Sequence, residues 1–273
     1  MADSDKIDRQ DTSRKMDDMV RDAVNGATAG QMILVQEALN ANLTDDVKQL
    51  VGSVVEYKEM MMRYTCAIKE IKTKFDVLNT EFNVRYQRNP ISSITYRLKE
   101  TMSIAEKLER RGLPFTIDAI QNNINDVAGI RVICSYLDDI YLIADAFLKQ
   151  DDITLIKRKD YIAQPKPNGY RSLHLIVSVP VFFANEKREM RAEVQIRTIA
   201  MDFWASLEHE LKYHKNIPEQ KRIVRDLKDC ADTIHDTDLR MLRIRNRITD
   251  KKPDPSEEDL LYEKFMKLDI KVE

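Results

Sequence analysis

The chain has 273 residues, enough for one substantial domain with flanking helices or two small ones. Its 44 Lys and Arg nearly cancel 46 Asp and Glu, and 33% charged residues, 43% hydrophobic residues and a mean hydropathy of −0.47 describe a soluble globular protein. This composition excludes a disordered, fibrous or membrane class and a general polyanion binder.

The six glycines fall in neither GxxxxGK nor GxGxxG spacing, so a nucleotide bound here has to be held by side chains. Cys66, Cys134 and Cys230 are too few and too scattered for a disulfide framework or a CxxC metal site, and read as packed thiols in a reducing compartment. The polar start of the chain lacks a secretory apolar run, and no later run approaches about eighteen apolar residues, so a cytoplasmic protein without membrane contact is expected.

In chain order, residues 1–28 lack periodicity and read as a mobile tail. Residues 29–88 carry apolar side chains at helical spacing, including Leu50, Val54, Ile68, Ile71, Phe75 and Leu78, which fits two helices broken near Asn42 to Asp45. The Met-rich EMMMRY reads as helix core or an oligomer face. ISSITYRLKETMSIAEKLERRG reads as one helix ending at Gly112. AGIRVICSYL reads as a strand, DDIYLIADAFLKQ as a helix, and DITLIKRKDYI as a strand running into a basic loop. SLHLIVSVPV and MRAEVQIRT are two further strands, and the short connection between them favours an antiparallel pair. A helix over IAMDFWASLEHELKYH and a charged helical stretch over 216–250 follow, then a tail over 251–273. The class is α+β, a mixed sheet flanked by helices with helical extensions at both ends.

Four groups of residues carry the chemistry. In RAEVQIRT, Val194 and Ile196 alternate with Glu193, Gln195 and Arg197, so strand geometry brings a carboxylate, an amide and a guanidinium to one face. The same alternation suits an amphipathic strand with a wet outer face. Asp126 stands at the mouth of the strand that carries Arg131, with Gly129 permitting close approach to the backbone. If the two strands share a sheet, Asp126 and Glu193 form a carboxylate pair flanked by arginines, which suits Mg²⁺; otherwise Asp126 merely caps a turn.

The window from Lys157 to Arg171 holds five basic residues and one acid, a local charge of +4, with Tyr161 and Tyr170 between them. Cations interleaved with aromatic faces suit a phosphate-bearing ligand with a base, and equally suit a solvated loop. Lys99, Ser103 and Lys107 repeat every four residues, a stripe that tracks a polyphosphate or simply faces solvent. A lone His174 is ordinarily structural.

Taken together, RLKETMSIAEK, DVAGIRV, KRKDYIAQPKPNGYRSLH, EVQIRT and MDFWASLEH resemble, in this order, the synthetase domain of RelA/SpoT-type alarmone enzymes, the GTP pyrophosphokinases. The likeness covers residues 89–215, in the compact layout of the small alarmone synthetases and nearest their RelP-like branch. It implies a nucleotidyltransferase-like sheet and transfer of pyrophosphate from ATP to the 3′-hydroxyl of GDP or GTP, giving ppGpp or pppGpp and AMP in the stringent response.

By position, Arg97 and Arg131 match the pair enclosing adenine, a role for planar guanidiniums. Lys99, Ser103 and Lys107 match the ATP phosphate contacts. Asp126 and Glu193 match the Mg²⁺ carboxylates, Glu193 also matching the base on the 3′-hydroxyl. Tyr170 matches the guanine-stacking residue, and Lys159, Lys166, His174, Gln195 and Arg197 surround the acceptor nucleotide.

The resemblance further implies a homotetramer. It leaves no room for the hydrolase and regulatory domains of the long members. Ser93, Tyr96 and Asp202 depart from the residues of the feedback-regulated branch. His235-Asp236, lacking a His cluster, reads as surface. Two alternatives remain: nucleotidyl transfer on a similar fold, and a non-catalytic RNA-binding regulator, against which the carboxylate pair argues.

Overall fold

The computed structural model describes residues 45–212 and 220–249. The chain divides into two compact units, residues 1–62 and 63–273. Described residues of the first unit belong to helix α1 (Asp45–Tyr86). The expected tails, and the helix expected from Gln31 to the break near Asp45, lie outside the described residues.

In the second unit, α1 buries Ile68, Ile71, Phe75 and Leu78, four positions of one helical stripe. The Phe75 ring stacks on Phe147 with centroids 4.4 Å apart. Phe147 belongs to α4 (Leu137–Leu148), which also buries Ile140, Ile143 and Ala144. Lys74 pairs with Asp152 at 2.6 Å.

Five strands form one mixed sheet: β1 (Ile91–Leu98), β2 (Ala128–Cys134), β3 (Thr154–Asp160), β4 (Leu173–Phe182) and β5 (Lys187–Thr198), in the order β1-β2-β5-β4-β3. Only β2 and β5 run parallel. A tight turn over residues 183–186 closes the β4–β5 hairpin, with Phe183 N donating to Glu186 O at 2.8 Å. Short helices α2 (Thr101–Glu109) and α3 (Ile117–Asn123) lie between β1 and β2, and α5 (Ile199–Lys212) and α6 (Gln220–Thr249) follow β5.

Residues 91–98 form a strand, which corrects the single helix expected from Ile91 to Gly112. Ile91, Ile94 and Leu98 carry helical spacing, but the segment is rich in β-branched residues and antiparallel β2 satisfies its backbone. The helical part starts at Thr101 and ends before Gly112, whose φ of +67° makes it a left-handed terminus. Lys99 therefore precedes the helix and does not stack with Ser103 and Lys107 on it. Lys157, Arg158 and Lys159 belong to β3, so the basic loop begins only after Asp160. None of the three cysteines is in a disulfide; Cys134 is buried, Cys66 half-buried and Cys230 exposed rather than packed.

The register separates the two faces of the sheet. Ile130, Val194 and Leu175 align and are buried, as are Val132, Ile196 and Leu173. One residue away the alignment runs Thr95, Arg131, Gln195, His174 and Lys159, one residue from each strand. The next row on that face holds Arg97, Gly129 and Glu193. A period of two thus gathers the polar residues of five strands on one surface.

Candidate active site

On this surface a cleft of about 230 Å³ is lined by Arg97, Asp126, Gly129, Arg131, Glu193 and Gln195, with Thr95, Tyr96 and Ile130. Gly129 stands between Arg97 and Glu193 in the row, and the Arg97 side chain lies over it, its Cγ 3.6 Å from where a Cβ would project. What approaches the backbone here is an arginine of the same site.

Asp126 sits in the turn before β2 and accepts from Lys107 Nζ at 2.7 Å and Lys99 Nζ at 3.3 Å. Burial pushes its carboxyl up, but the bonds and charges of Lys107 and Lys99 together outweigh burial and hold it below the usual range. Ser103, half-buried one turn before Lys107, takes no part in these ion pairs among the described residues.

Glu193 ends two chains of hydrogen bonds that both begin at Arg197. In one, Arg197 Nη2 donates to Gln195 Oε1 at 2.7 Å, and Gln195 Nε2 donates to Glu193 Oε2 at 2.8 Å. In the other, Arg197 Nη2 donates to Tyr170 Oη at 2.6 Å, Tyr170 Oη meets His174 Nε2 at 2.8 Å, and His174 Nδ1 meets Glu193 Oε1 at 3.2 Å. A guanidinium only donates and an ionised carboxylate only accepts, so with a neutral imidazole between them the direction of every bond is fixed. The Tyr170 hydroxyl donates to Nε2, and His174 carries its proton on Nδ1.

The local electrostatics agree with that direction. Burial pushes His174 below its ordinary value despite Glu193, keeping the ring neutral. Burial also pushes the Tyr170 phenol up despite Arg197. Glu193 is raised by burial, but its bonds to His174 and Gln195 more than offset this and hold it below the usual carboxylate range, with Asp126 opposing them. Both oxygens of Glu193 are thereby fixed, each with a lone pair remaining.

On the other side of His174 lies an aromatic cluster. Tyr161 meets His174 edge-on at 5.1 Å and Tyr170 at 6.0 Å. Lys166 Nζ stands 4.4 Å from the Tyr170 centroid and 4.6 Å from that of Tyr161, and the Arg197 guanidinium stands 5.1 Å from Tyr170. The loop bearing Lys166 is held at several points. Asn168 donates to the buried Glu208 of α5 at 2.9 Å, Arg171 pairs with Asp232 of α6 at 2.9 Å, and Asp160 accepts from the backbone of Ile162 and Ala163. Lys159 is opposite His174 in the register, outside this network.

The structure brings Arg97, Lys99, Lys107, Asp126, Arg131, Glu193, Gln195, Arg197, His174, Tyr170 and Lys166 onto one surface. His174 is not the isolated structural residue that its position in the sequence suggests. His235 is half-buried beside Gly169, Arg171 and Trp204, so the surface reading holds only for exposed Asp236. Two residues without a role in the sequence reading join the site: Ser172, which shares the polar face of His174 and accepts from Arg197 Nε at 3.3 Å, and Glu208, which holds Asn168. The alternation places Ser172 with His174, but its bond to Arg197 arises only when β4 pairs with β5.

Two ionised carboxylates, a group of cations and aromatic rings packed edge-on at one face of a mixed sheet define an enzyme site for phosphorylated ligands. The model described as "Region found in RelA / SpoT proteins" matches residues 96–218. The chain is 40% identical over 210 residues to the GTP pyrophosphokinase YwaC of Bacillus subtilis, covering 77% of this chain and 99% of that protein.

Its fold is similar to the crystal structure of small alarmone synthetase 2 of Bacillus subtilis, with TM-score 0.63 and 41% identity over 70% of this chain and 99% of that one. Small alarmone synthetase 1 of the same organism, bound to its product pppGpp, matches with TM-score 0.65 and 32% identity over 71% and 98%. The chain belongs to the small alarmone synthetases, enzymes of the RelA/SpoT-type GTP pyrophosphokinase family.

Proposed function

We propose that this enzyme transfers pyrophosphate from ATP to the 3′-hydroxyl of GDP or GTP, releasing AMP. The observation that carries the reading is the placement of Asp126 and Glu193 on one cleft, with Arg97 and Arg131 beside them and Tyr170 and Lys166 beyond His174. Arg97 and Arg131 hold the adenine, Lys99 and Lys107 the donor phosphates, and Tyr170 the guanine face; Lys159, Lys166, Gln195 and Arg197 serve the acceptor side.

Asp126 and Glu193 fit Mg²⁺: each lines the cleft, each is held ionised, and Glu193 senses the charge of Asp126. Two carboxylates leave the rest of an octahedral shell to water and phosphate oxygens, as Mg²⁺ prefers. When bound, the ion supplies charge neutralisation on the transferred phosphates.

The 3′-oxygen attacks the β-phosphorus of ATP while the bond from that phosphorus to the α-phosphate oxygen breaks and AMP departs. The hydroxyl proton goes to the remaining lone pair of a Glu193 oxygen. It stays there, because His174 already carries a proton on Nδ1 and cannot accept another at that atom. Arg197 and the lysines stabilise the charge of the transferring group by position alone.

The synthetase region over 89–215 carries this chemistry in a cytoplasmic homotetramer. Exposed Phe203 on α5 and Ile248 on α6, 60% and 67% accessible, are the kind of side chains such an assembly covers. No helix of the described residues is long and apolar enough to cross a membrane. The test is chromatography of the nucleotides after incubation with Mg²⁺, ATP and GDP or GTP. AMP appearing with a more phosphorylated guanosine nucleotide supports the reading, and pyrophosphate without AMP overturns it.

A further inference from the structure

Asp202, in the first turn of α5, stands where two arginines of the site meet. Its Oδ1 accepts from Arg197 Nη1 at 3.0 Å and lies 3.2 Å from Arg131 Nη1. Arg131 is on β2 and Arg197 on β5, one step apart diagonally, since Arg131 aligns with Gln195 and Ile133 with Arg197. Placement of the carboxylate follows from the chain: β5 ends at Thr198, whose hydroxyl accepts from Met201 N at 3.1 Å and starts α5. That cap turns Asp202 back over the polar face, where the helix N-terminus also favours an acid.

Without Asp202 the two guanidiniums repel. Burial and the charge of Arg197 both push Arg131 below its ordinary value, and Asp202 opposes them. The other atoms of Arg197 bond to Ser172, Tyr170 and Gln195, so its orientation follows the guanosine-side partners Tyr170 and Gln195, and a shared carboxylate transmits that orientation to Arg131. Arg131 has no equivalent second anchor among its ion pairs in the described residues.

We propose that Asp202 is a positioning residue that couples the two nucleotide subsites, holding Arg131 of the adenine side and Arg197 of the guanosine side through one oxygen. The assignment of sides rests on the function proposed above. A nucleotide that orders one arginine orders Asp202 and with it the other arginine, so each substrate tightens the binding of the other, a reciprocal coupling.

The experiment measures binding of AMPCPP, with Mg²⁺ and with or without saturating GDP, by calorimetry on the full chain and on Asp202→Ala and Asp202→Asn, alongside AMP release by the wild type. GDP should tighten AMPCPP binding by about fivefold or more in the wild type, the lower end of measured couplings. In Asp202→Ala that ratio should fall to one, with KM raised for both nucleotides and kcat less affected. Asp202→Asn keeps an oxygen between the guanidiniums and the packing of α5, and should give an intermediate ratio at unchanged melting temperature; it decides the matter if Asp202→Ala does not fold.

A merely structural role would lower the melting temperature without moving the ratio. Wild-type turnover with no coupling, a ratio unchanged in the folded variants, or weakening of one nucleotide alone overturns this proposal. A wild-type protein that releases no AMP overturns the reading of the site and this proposal with it.

Discussion

Gly169 lies against Ala231: a Cβ at Gly169 would stand 2.5 Å from the Ala231 Cβ and 3.2 Å from Lys228 Cα, and the glycine has φ +88°. The loop between Tyr161 and Tyr170 thus approaches α6 as closely as a backbone without a side chain allows, in a conformation that disfavours any other residue.

Gly169→Ala should therefore cost about 1–3 kcal/mol through strain and displacement of the loop. Because Lys166 and Tyr170 travel with that loop, the expected result is a lower melting temperature together with a raised KM for the guanosine nucleotide and a smaller change for ATP. Adding Ala231→Gly should recover the part due to collision and leave the part due to φ. Unaltered stability and KM in Gly169→Ala would show that the loop does not need this contact.

Glu193→Gln should lower kcat by about a hundred- to ten-thousand-fold, the usual loss with a general base, while both nucleotides still bind. The amide keeps the shape but cannot take the 3′-hydroxyl proton. Tyr170→Phe separates the ring from its hydroxyl: Arg197 Nη2 and His174 Nε2 each lose a partner, and kcat should fall roughly tenfold with little change in guanosine KM. Tyr170→Ala should raise that KM as well. Steady-state kinetics on the three variants checks all of these, and equal effects of Phe and Ala would refute the division of roles.

The alternation of Glu193, Gln195 and Arg197 with Val194 and Ile196 was legible because β5 lies in the middle of the sheet, with a core on one side only. The strand at 91–98 was not, because Ile91, Ile94 and Leu98 satisfy a helical stripe as well as they satisfy β1, and the choice rests with β2, far along the chain. His174 looked isolated because its partners Tyr170 and Glu193 come together only when β4 pairs with β5. Lys99 and Lys107 do not share the helix that their spacing suggests, yet both reach Asp126, one from just past the end of β1 and one from α2. Helix α3 is only seven residues long and gives periodicity too few turns to register.

Lys107→Ala should shift the acid limb of the pH profile of kcat/KM for ATP to higher pH. Asp126 is raised by burial and more than offset by Lys107 and Lys99, so removal of the stronger partner lets burial gain. The sign is definite, because the ionised carboxylate is the form the site uses and the folded value lies below the ordinary 3.8 in the wild type. Lys99→Ala, which removes the bond at 3.3 Å rather than 2.7 Å, should shift the limb less. A Lys107→Ala profile coincident with the wild type would detach Lys107 from Asp126.

Stability should fall as the solution is acidified through the range just below pH 6.5, on account of two histidines. His174 is held below its ordinary 6.5 mainly by burial, and so is His235, whose Nδ1 is buried without a hydrogen-bond partner among the described residues. The unfolded chain therefore binds protons in this window that the native state refuses, so stability is fully present above 6.5 and is lost as pH falls toward the folded values. Glu193 and Asp126 do not contribute there, since both are depressed carboxylates whose stabilisation is lost only below their ordinary values of 4.5 and 3.8.

Urea unfolding at pH 7.5 and 5.5 measures the difference. In His174→Gln the side chain can still accept from Tyr170 and donate to Glu193 but does not titrate, so the pH dependence should shrink to the share of His235. A difference between the two pH values as large in His174→Gln as in the wild type would mean that His174 titrates in the native state as freely as in the unfolded chain, and the proton direction from Arg197 to Glu193 would then have to be abandoned.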